Sequence, residues 1–536
     1  MSGPPGHPAG TASRGDGTRG IPQLDRLIAR NTAFTLLGRF AYVAGWILIA
    51  PFMVAGLGAE RFGLWSLLTV VSGVYLTFDF GLQSALTKFV AEFHATGDRA
   101  SLRGIFTLGI LLYGGLSLAF FLAIAALREP LLGFFRVAPG LHAEAAWALV
   151  GAAAVYGVMN FYMLLSSVLS GLQRLDLWNR IAIATTLLQI LGVAIVISLG
   201  GGLRWLVVNT GISMALAALW CRWSVRRLAP EIRFELPVAV PGLMRRLTRY
   251  GAALQIINLG GLVQFQLDKV LFGRFVSLTA SGDYELGYRV ASALWSLPAL
   301  LLPALLPAVA HLDASADHAR ITRLYLRASR YVIGVAFPLA TGIIVLSPVL
   351  FTAWLGPGHP DAARAAIALG ALMGVNILTG VGGSVARGVG RPGLEAEYHV
   401  LAILLHFALS LSLIPRLGFT GGLWALFLSG AVGSIYFLVR FHLSQRIPLG
   451  RYVLEVLARP AAAAALGGLA GHSVSLWAVW SLVPEGRAQG IARLVAGGVA
   501  LIGVAAAVLM ASRYVSLSEV RAIVGPAGGR PREAAG

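Results

Sequence analysis

About fourteen runs of roughly 20 mostly apolar residues follow one another along the chain, and this is the length that an α-helix needs to cross a bilayer. With 57% hydrophobic residues, 12% charged residues and a mean hydropathy of +0.77, no soluble domain of useful size remains between them. The expected fold is therefore an all-α polytopic membrane protein. The predicted spans are 32–56, 62–86, 104–127, 144–170, 181–199, 203–222, 250–274, 284–310, 331–354, 363–386, 396–415, 420–441, 460–483 and 490–512.

The distribution of basic residues predicts the orientation of these spans. With the amino terminus inside, about 30 of the 42 Lys and Arg residues fall in inner tails and loops, and about 8 fall in outer loops. Both termini are therefore expected in the cytoplasm, and the net charge of +19 is explained by topology and by attraction to anionic lipid. The first 20 residues are rich in Gly and Pro and lack an apolar signal-peptide core, which predicts a disordered cytoplasmic tail.

The sequence lacks the residues that several kinds of chemistry require. The single cysteine, Cys221, excludes an internal disulfide and a Cys-based metal cluster. There is no P-loop sequence and no H-E-x-x-H sequence, and the outer loops are too short to carry the catalytic residues of a membrane glycosyltransferase, polymerase or ligase. The basic charge is dispersed, without a nucleic-acid-binding module. We therefore expect no enzyme activity, no cofactor, no metal and no nucleic-acid partner.

A weak internal repeat divides the spans into two halves. An offset of about 217 residues aligns Gly157 to Arg180 with Gly374 to Glu397, and it matches Gly171 with Gly388. Because each half has six spans, the expected architecture is two parallel six-helix bundles around a central cavity, plus an extra C-terminal helix pair. The predicted segments are a tail (1–31), the first bundle (32–222), a basic cytoplasmic linker (223–249), the second bundle (250–442), a cytoplasmic loop with the extra pair (443–512) and a tail (513–536).

Polar residues inside the spans are the candidate binding residues, because burying them in a membrane is costly unless they serve a function. In the stretch GLVQFQLDKVLF, residues 261–272, the helical rotation of 100° per residue puts Lys269 at the end of a polar stripe and turns Asp268 away from it. Adjacent residues cannot share a helix face, so the two are not expected to pair with each other. Lys269 can face a cavity, and Asp268 is expected to find its partner on another helix. The other polar members of the stripe are Gln255, Asn258 and Gln266.

Further candidates are spread over both leaflets. Arg39 lies about 10 Å into the first span, and Arg289 is expected to be shallow at the outer end of the eighth. Lys88 and Arg387 lie near inner helix ends, where snorkelling to the interface is the structural alternative. Weaker polar stripes on the first two spans include Trp46, Thr69 and Asp79, and His406 is interpreted as a hydrogen-bonded interior histidine. Cations at both ends of a cavity suit an anionic cargo such as a phosphate.

Two stretches carry a family resemblance. Residues 56–92, GLGAERFGLWSLLTVVSGVYLTFDFGLQSALTKFVAE, and residues 266–290, QLDKVLFGRFVSLTASGDYELGYRV, resemble the polysaccharide biosynthesis flippases. These are the O-antigen and lipid-linked oligosaccharide translocases of the multidrug/oligosaccharidyl-lipid/polysaccharide exporter superfamily. The resemblance covers about residues 30–440. Fourteen spans exceed the twelve that are common among O-antigen flippases and match the peptidoglycan-precursor group.

The resemblance implies a function in surface polysaccharide biosynthesis. An undecaprenyl-diphosphate-linked oligosaccharide would move by alternating access from the cytoplasmic to the periplasmic leaflet of a bacterial inner membrane. The implied partners are this lipid-linked glycan, membrane lipids and a polysaccharide polymerase or export machinery, with Asp79 or Asp268 coupling an ion. The implied residues for the diphosphate and glycan are Arg39, Lys88, Gln255, Asn258, Gln266, Lys269, Arg289 and Arg387. The alternative is a cation-coupled multidrug or small-molecule exporter, which predicts a cavity dominated by carboxylates.

Overall fold

The computed structural model describes residues 45–77, 82–236, 242–245, 265–299, 302, 305–315, 317–477, 479–480 and 486–514. These residues form helices and connecting turns, with no strand among them, so the all-α prediction is confirmed. The first half contains α1 (Gly45–Leu57), α2 (Ala59–Thr77), α3 (Leu82–Thr96), α4 (Arg99–Phe134), α5 (His142–Gly171), α6 (Leu175–Ser198) and α7 (Leu203–Leu228).

The second half begins with the described part of α8 (265–275). It continues through α9 (Leu278–Ala299), α10 (Leu305–Ala314), α11 (His318–Leu355), α12 (Pro360–Gly388) and α13 (Gly393–Gln445). The short α14 (Leu449–Tyr452) leads through a π-helical turn into α15 (Ala458–Ser475), and α16 (Arg487–Ala511) follows.

The described helices include nine that are long and apolar enough to cross a membrane. Helix α13 is 53 residues long, and it breaks at Gly418, where φ is +58°. A glycine adopts this φ without the steric conflict of a Cβ, and the break separates the predicted spans 396–415 and 420–441. The chain is a multi-pass membrane protein, whereas the number of fourteen spans stays a prediction.

Two predicted spans each overlap two of the described helices. Span 62–86 falls on α2 and α3, and span 284–310 falls on α9 and α10. Helix α9 also begins earlier than predicted, at Leu278, because the Ser277 hydroxyl accepts a hydrogen bond from the Ala280 backbone N–H at 3.0 Å. A hydropathy scan averages over about 20 residues, so it assigns polar residues at a helix start to the loop.

The helix order of the first half recurs in the second. Helices α4 and α11 each begin after an aspartate, Asp98 or Asp317, whose side chain accepts from a backbone N–H three residues later at 3.0 Å. Helices α5 and α12 end at the two glycines that the sequence repeat aligned, Gly171 and Gly388. The arrangement as two parallel six-helix bundles, and the segment boundaries given above, stay predictions.

The two halves meet where α2 and α9 cross near their first residues. A Cβ added at Gly63 would overlap the backbone carbonyl of Leu278, so only glycine permits this approach. Three residues further along α2, the Ser66 hydroxyl lies 3.0 Å from that of Ser281. The predicted topology puts this crossing at the outer side of the membrane.

Candidate binding site between the two halves

Three charged side chains form a cluster between α8 and α9. The Glu285 carboxylate pairs with the Lys269 ammonium through one oxygen, and its other oxygen lies 2.5 Å from the Arg289 guanidinium. Glu285 and Arg289 are four residues apart on α9, a spacing that places them on one helix face. The side chains of Lys269 and Glu285 are 2% and 4% exposed, so this pair is held away from solvent.

Aromatic rings fix the position of both cations. The Arg289 guanidinium carbon lies 3.9 Å from the ring centroid of Trp46 on α1, and the Lys269 ammonium lies 5.0 Å from that of Tyr288. A ring face attracts a cation, and the contact involves the face of the guanidinium and not its N–H edge. The arginine is therefore braced from the first half of the chain while its pairing carboxylate belongs to the second.

The cluster faces a cavity of about 410 Å³ between the halves. Residues from α1, α2, α8, α9 and α11 line this cavity, which we call the cationic cavity. Two cations and one carboxylate give the described part of its wall a net charge of +1, and a charge in a partly desolvated wall acts more strongly than one in water. Its polar and charged lining includes Trp46, Thr69, Gln266, Lys269, Glu285 and Arg289.

The structure brings three of the predicted site residues together and leaves two apart. Gln266, Lys269 and Arg289 line the cationic cavity. Lys88 is exposed on α3, 5.4 Å from the ring centroid of Phe89, and Arg387 lies at the end of α12, 3.5 Å from Glu395. Neither of these two predicted binding residues lines the cavity. Both lie near helix ends, where snorkelling was the alternative interpretation. The remaining candidates lie outside the described residues: Arg39, Asp79, Gln255 and Asn258.

Arg289 lies deeper than the sequence predicted. Because α9 begins at Leu278, Arg289 is about 16 Å along the helix from its first residue at 1.5 Å per residue. The sequence prediction also omitted Glu285, although its spacing from Arg289 is the signal of an ion pair on a helix. A carboxylate inside a predicted span should have been counted with the cations.

Asp268 belongs to a second polar group, on the other side of α8. Its carboxylate lies 3.2 Å from Nε2 of His406 on α13, an ion-pair distance without the alignment of a hydrogen bond. The other imidazole nitrogen, Nδ1, lies 3.2 Å from the Ser429 hydroxyl. The side chains of His406 and Asp268 are 1% and 0% exposed. The prediction that Asp268 and Lys269 have different partners is confirmed, as is the interior position of His406.

This second group is expected to stabilise the packing of α8 against α13. Asp268→Asn and His406→Leu should each lower the free energy of unfolding, and the double variant should lose about 1–3 kcal/mol less than the sum because the groups are in contact. Chemical unfolding of the four proteins in detergent measures this coupling. His472→Leu, at an exposed position on α15, is the control. Additive losses would show that the pair does not interact.

Several solved structures share the fold of this multi-pass helical protein. The chain has the fold of membrane transporters. It belongs to the polysaccharide biosynthesis protein family, whose model matches residues 57–363. The family resemblance noted in the sequence is thereby confirmed.

Individual relatives agree with this assignment. A probable low-salt glycan biosynthesis flippase, Agl15 of Haloferax volcanii, is 22% identical over 393 residues, which cover 72% of this chain and 77% of that protein. The structure of the lipid II flippase MurJ in its inward closed conformation matches with a TM-score of 0.63 at 12% identity, covering 90% of this chain and 99% of that one. An inward-facing MATE-family multidrug transporter of the MOP superfamily has a TM-score of 0.63 at 13% identity, with coverages of 76% and 94%. At these identities the structures establish the fold alone.

Proposed function

We propose that this protein is a flippase that moves an oligosaccharide linked to undecaprenyl diphosphate across a bacterial inner membrane, with both termini in the cytoplasm. The observation that carries the proposal is the buried cluster of Lys269, Glu285 and Arg289 facing the cationic cavity. A diphosphate offers the oxygen geometry that a guanidinium binds with two parallel hydrogen bonds and an ammonium binds as a point charge. A polymerase or export system would use the delivered glycan.

Glu285 gives the site a means of releasing its cargo. In the cluster, its carboxylate occupies the positions on Lys269 and Arg289 that a phosphate would take. An arriving diphosphate replaces the carboxylate, and the carboxylate returns as the cargo leaves, so neither cation is left buried without an anion. Since an uncompensated buried charge costs several kcal/mol, this exchange lowers the barrier to both steps.

Access would alternate around the crossing of α2 and α9. In this scheme, the close approach of Gly63 to the Leu278 carbonyl would close the predicted outer side of the cavity. Rocking of one half against the other would separate these helices and expose the cluster to the outer leaflet. Since Trp46 belongs to the first half and Glu285 to the second, the same motion would change the surroundings of Arg289.

A multidrug exporter is the second candidate, because the fold likeness to a MATE-family transporter equals that to MurJ. The charge of the cavity separates the two functions. A site for amphipathic cations needs an excess of carboxylates, whereas the described lining of the cationic cavity has two cations and one carboxylate. Drug susceptibility should therefore be the same in cells that overexpress the protein and in cells that lack it.

The flippase proposal predicts a large loss of translocation when either cation is removed. In a deletion strain carrying Lys269→Gln or Arg289→Gln, we expect outer-leaflet lipid-linked glycan to fall at least about ten-fold, since a hydrogen bond to a charged group is worth about 1.5–3 kcal/mol. Leaflet-resolved detection of the glycan in intact cells measures it. The matched control is Arg440→Gln, which breaks an exposed pair with Glu397.

The deletion strain itself tests the function. Its surface polysaccharide should disappear while the lipid-linked precursor accumulates in the inner leaflet. Normal polysaccharide without accumulated precursor would contradict the flippase proposal. Equal translocation by the wild type and by both cation variants would place the cluster among structural ion pairs.

A further inference from the structure

A second cavity, of about 420 Å³, lies inside the first half of the chain. Residues from α1, α2, α5, α6 and α7 line it, together with Arg289 from α9. Its volume falls in the range of small-molecule sites. Trp46, Thr69 and Arg289 line both this cavity and the cationic cavity, so the two adjoin at Arg289.

Six neutral polar side chains stand in the otherwise largely apolar lining of this second cavity, and Arg289 is the one charged residue among the described lining residues. A site for a cation would need a carboxylate, and a site for an alkyl chain would need no such group of polar side chains. No described lining residue is acidic, which excludes the first occupant, and the polar groups argue against the second. These neutral side chains are Thr69, Thr185, Thr186, Gln189, Asn209 and Thr210.

Hydrogen bonding makes this wall rich in acceptors. The hydroxyls of Thr185, Thr186 and Thr210 donate to backbone carbonyls of their own helices at 2.7, 2.9 and 2.9 Å. A hydroxyl has one proton and two acceptor sites, so a threonine that donates to its helix can only accept from a ligand. The Asn209 amide likewise donates to the Gln189 carbonyl at 3.2 Å. The matching ligand is one with many O–H donors.

Two further features fit a sugar. Trp46 and Trp65 line the cavity, and an aromatic face packs well against the C–H face of a pyranose ring. The Trp65 indole N–H is buried and has no hydrogen-bond partner among the described residues. Glycine at position 192 leaves room for the Asn209 side chain, because a Cβ there would overlap the Asn209 side-chain oxygen.

On the basis of the function proposed above, we propose that this second cavity binds the uncharged sugar attached to the diphosphate. The cargo would then lie across both cavities, with its diphosphate at Lys269 and Arg289 and its first sugar between α2, α6 and α7. Because Arg289 pairs with the diphosphate, the described lining offers no further cation to an acidic sugar, so a neutral first sugar is expected. Selectivity for the glycan and affinity for the lipid carrier therefore reside in different halves of the chain.

Two probes separate these contributions: undecaprenyl diphosphate, and undecaprenyl diphosphate carrying one N-acetylglucosamine. Native mass spectrometry of the purified full-length protein in detergent measures the Kd of each. We expect wild type to bind the glycosylated probe more tightly. Asn209→Leu combined with Thr186→Val should raise the Kd of the glycosylated probe by about ten-fold, since each lost hydrogen bond is worth a few-fold in affinity. The Kd of the bare probe should be unchanged.

Replacing Asn209 could disturb the packing of α6 and α7. Thr186→Val alone is therefore a second test variant, because valine has nearly the same shape as threonine. Its matched control is Thr322→Val on α11, where a half-buried threonine outside both cavities makes the same bond to its own helix at 3.1 Å. Variants that bind both probes like wild type, or lose both equally, would overturn the sugar site and leave the flippase function standing. Wild type that binds neither probe would overturn the flippase function, and the sugar site with it.

Discussion

Glu285→Gln is expected to lower the free energy of unfolding by about 3–5 kcal/mol, because it removes the carboxylate that pairs with two buried or half-buried cations. The glutamine has nearly the same shape, so the loss reports charge and not packing. Chemical unfolding in detergent measures it. Glu397→Gln, which removes the acid of an exposed pair with Arg440, should stay within about 1 kcal/mol of wild type.

A second substitution separates the structural role of the cluster from its function. Adding Lys269→Met to Glu285→Gln removes the buried cation together with its partner, and methionine fills a similar volume. We expect most of the lost stability to return, because a well-packed apolar residue replaces a buried charge at little cost. Translocation should stay low, because Lys269 is proposed to hold the diphosphate. A double variant that transports like wild type would remove Lys269 from the binding site.

Gly63→Ala is expected to disrupt the crossing of α2 and α9. Its methyl group would overlap the Leu278 carbonyl, and the backbone cannot move aside as a flexible side chain can. Overpacking of this kind costs about 1–3 kcal/mol, so the closed contact should lose population by about ten-fold. Transport should fall for the same reason, since alternating access needs both the closed and the separated state.

Cross-linking measures the closed contact directly. The Ser66 and Ser281 hydroxyls are 3.0 Å apart, so cysteines at both positions should form a disulfide in the otherwise unchanged chain. The one native cysteine, Cys221, is buried and gives little background. Gly63→Ala should slow this cross-link, whereas Gly115→Ala should not, because a Cβ at Gly115 on α4 meets nothing within 4 Å. An unchanged rate in Gly63→Ala would contradict the proposed closure.

Helical geometry alone separated Asp268 from Lys269. The rotation of 100° per residue is a local property, so adjacent residues on α8 had to face different neighbours. The partners themselves, His406 and Glu285, could not be predicted, because they depend on which helices pack against α8. Arg387 shows the limit of the same reasoning. Its position near a helix end is compatible with a side chain in the cavity or at the surface, and the structure places it at the surface, paired with Glu395.

The sequence by itself determined that the chain is an all-α, multi-pass membrane protein with an internal repeat, and it identified Lys269 and Arg289 as candidate cations. These features depend on hydropathy and helical periodicity, which are properties of consecutive residues. Only the tertiary structure decided that Lys269 and Arg289 share one carboxylate, that Trp46 braces the arginine from the other half, and that a neutral cavity adjoins them. Those contacts join helices far apart in the chain, and no local pattern specifies which helices meet.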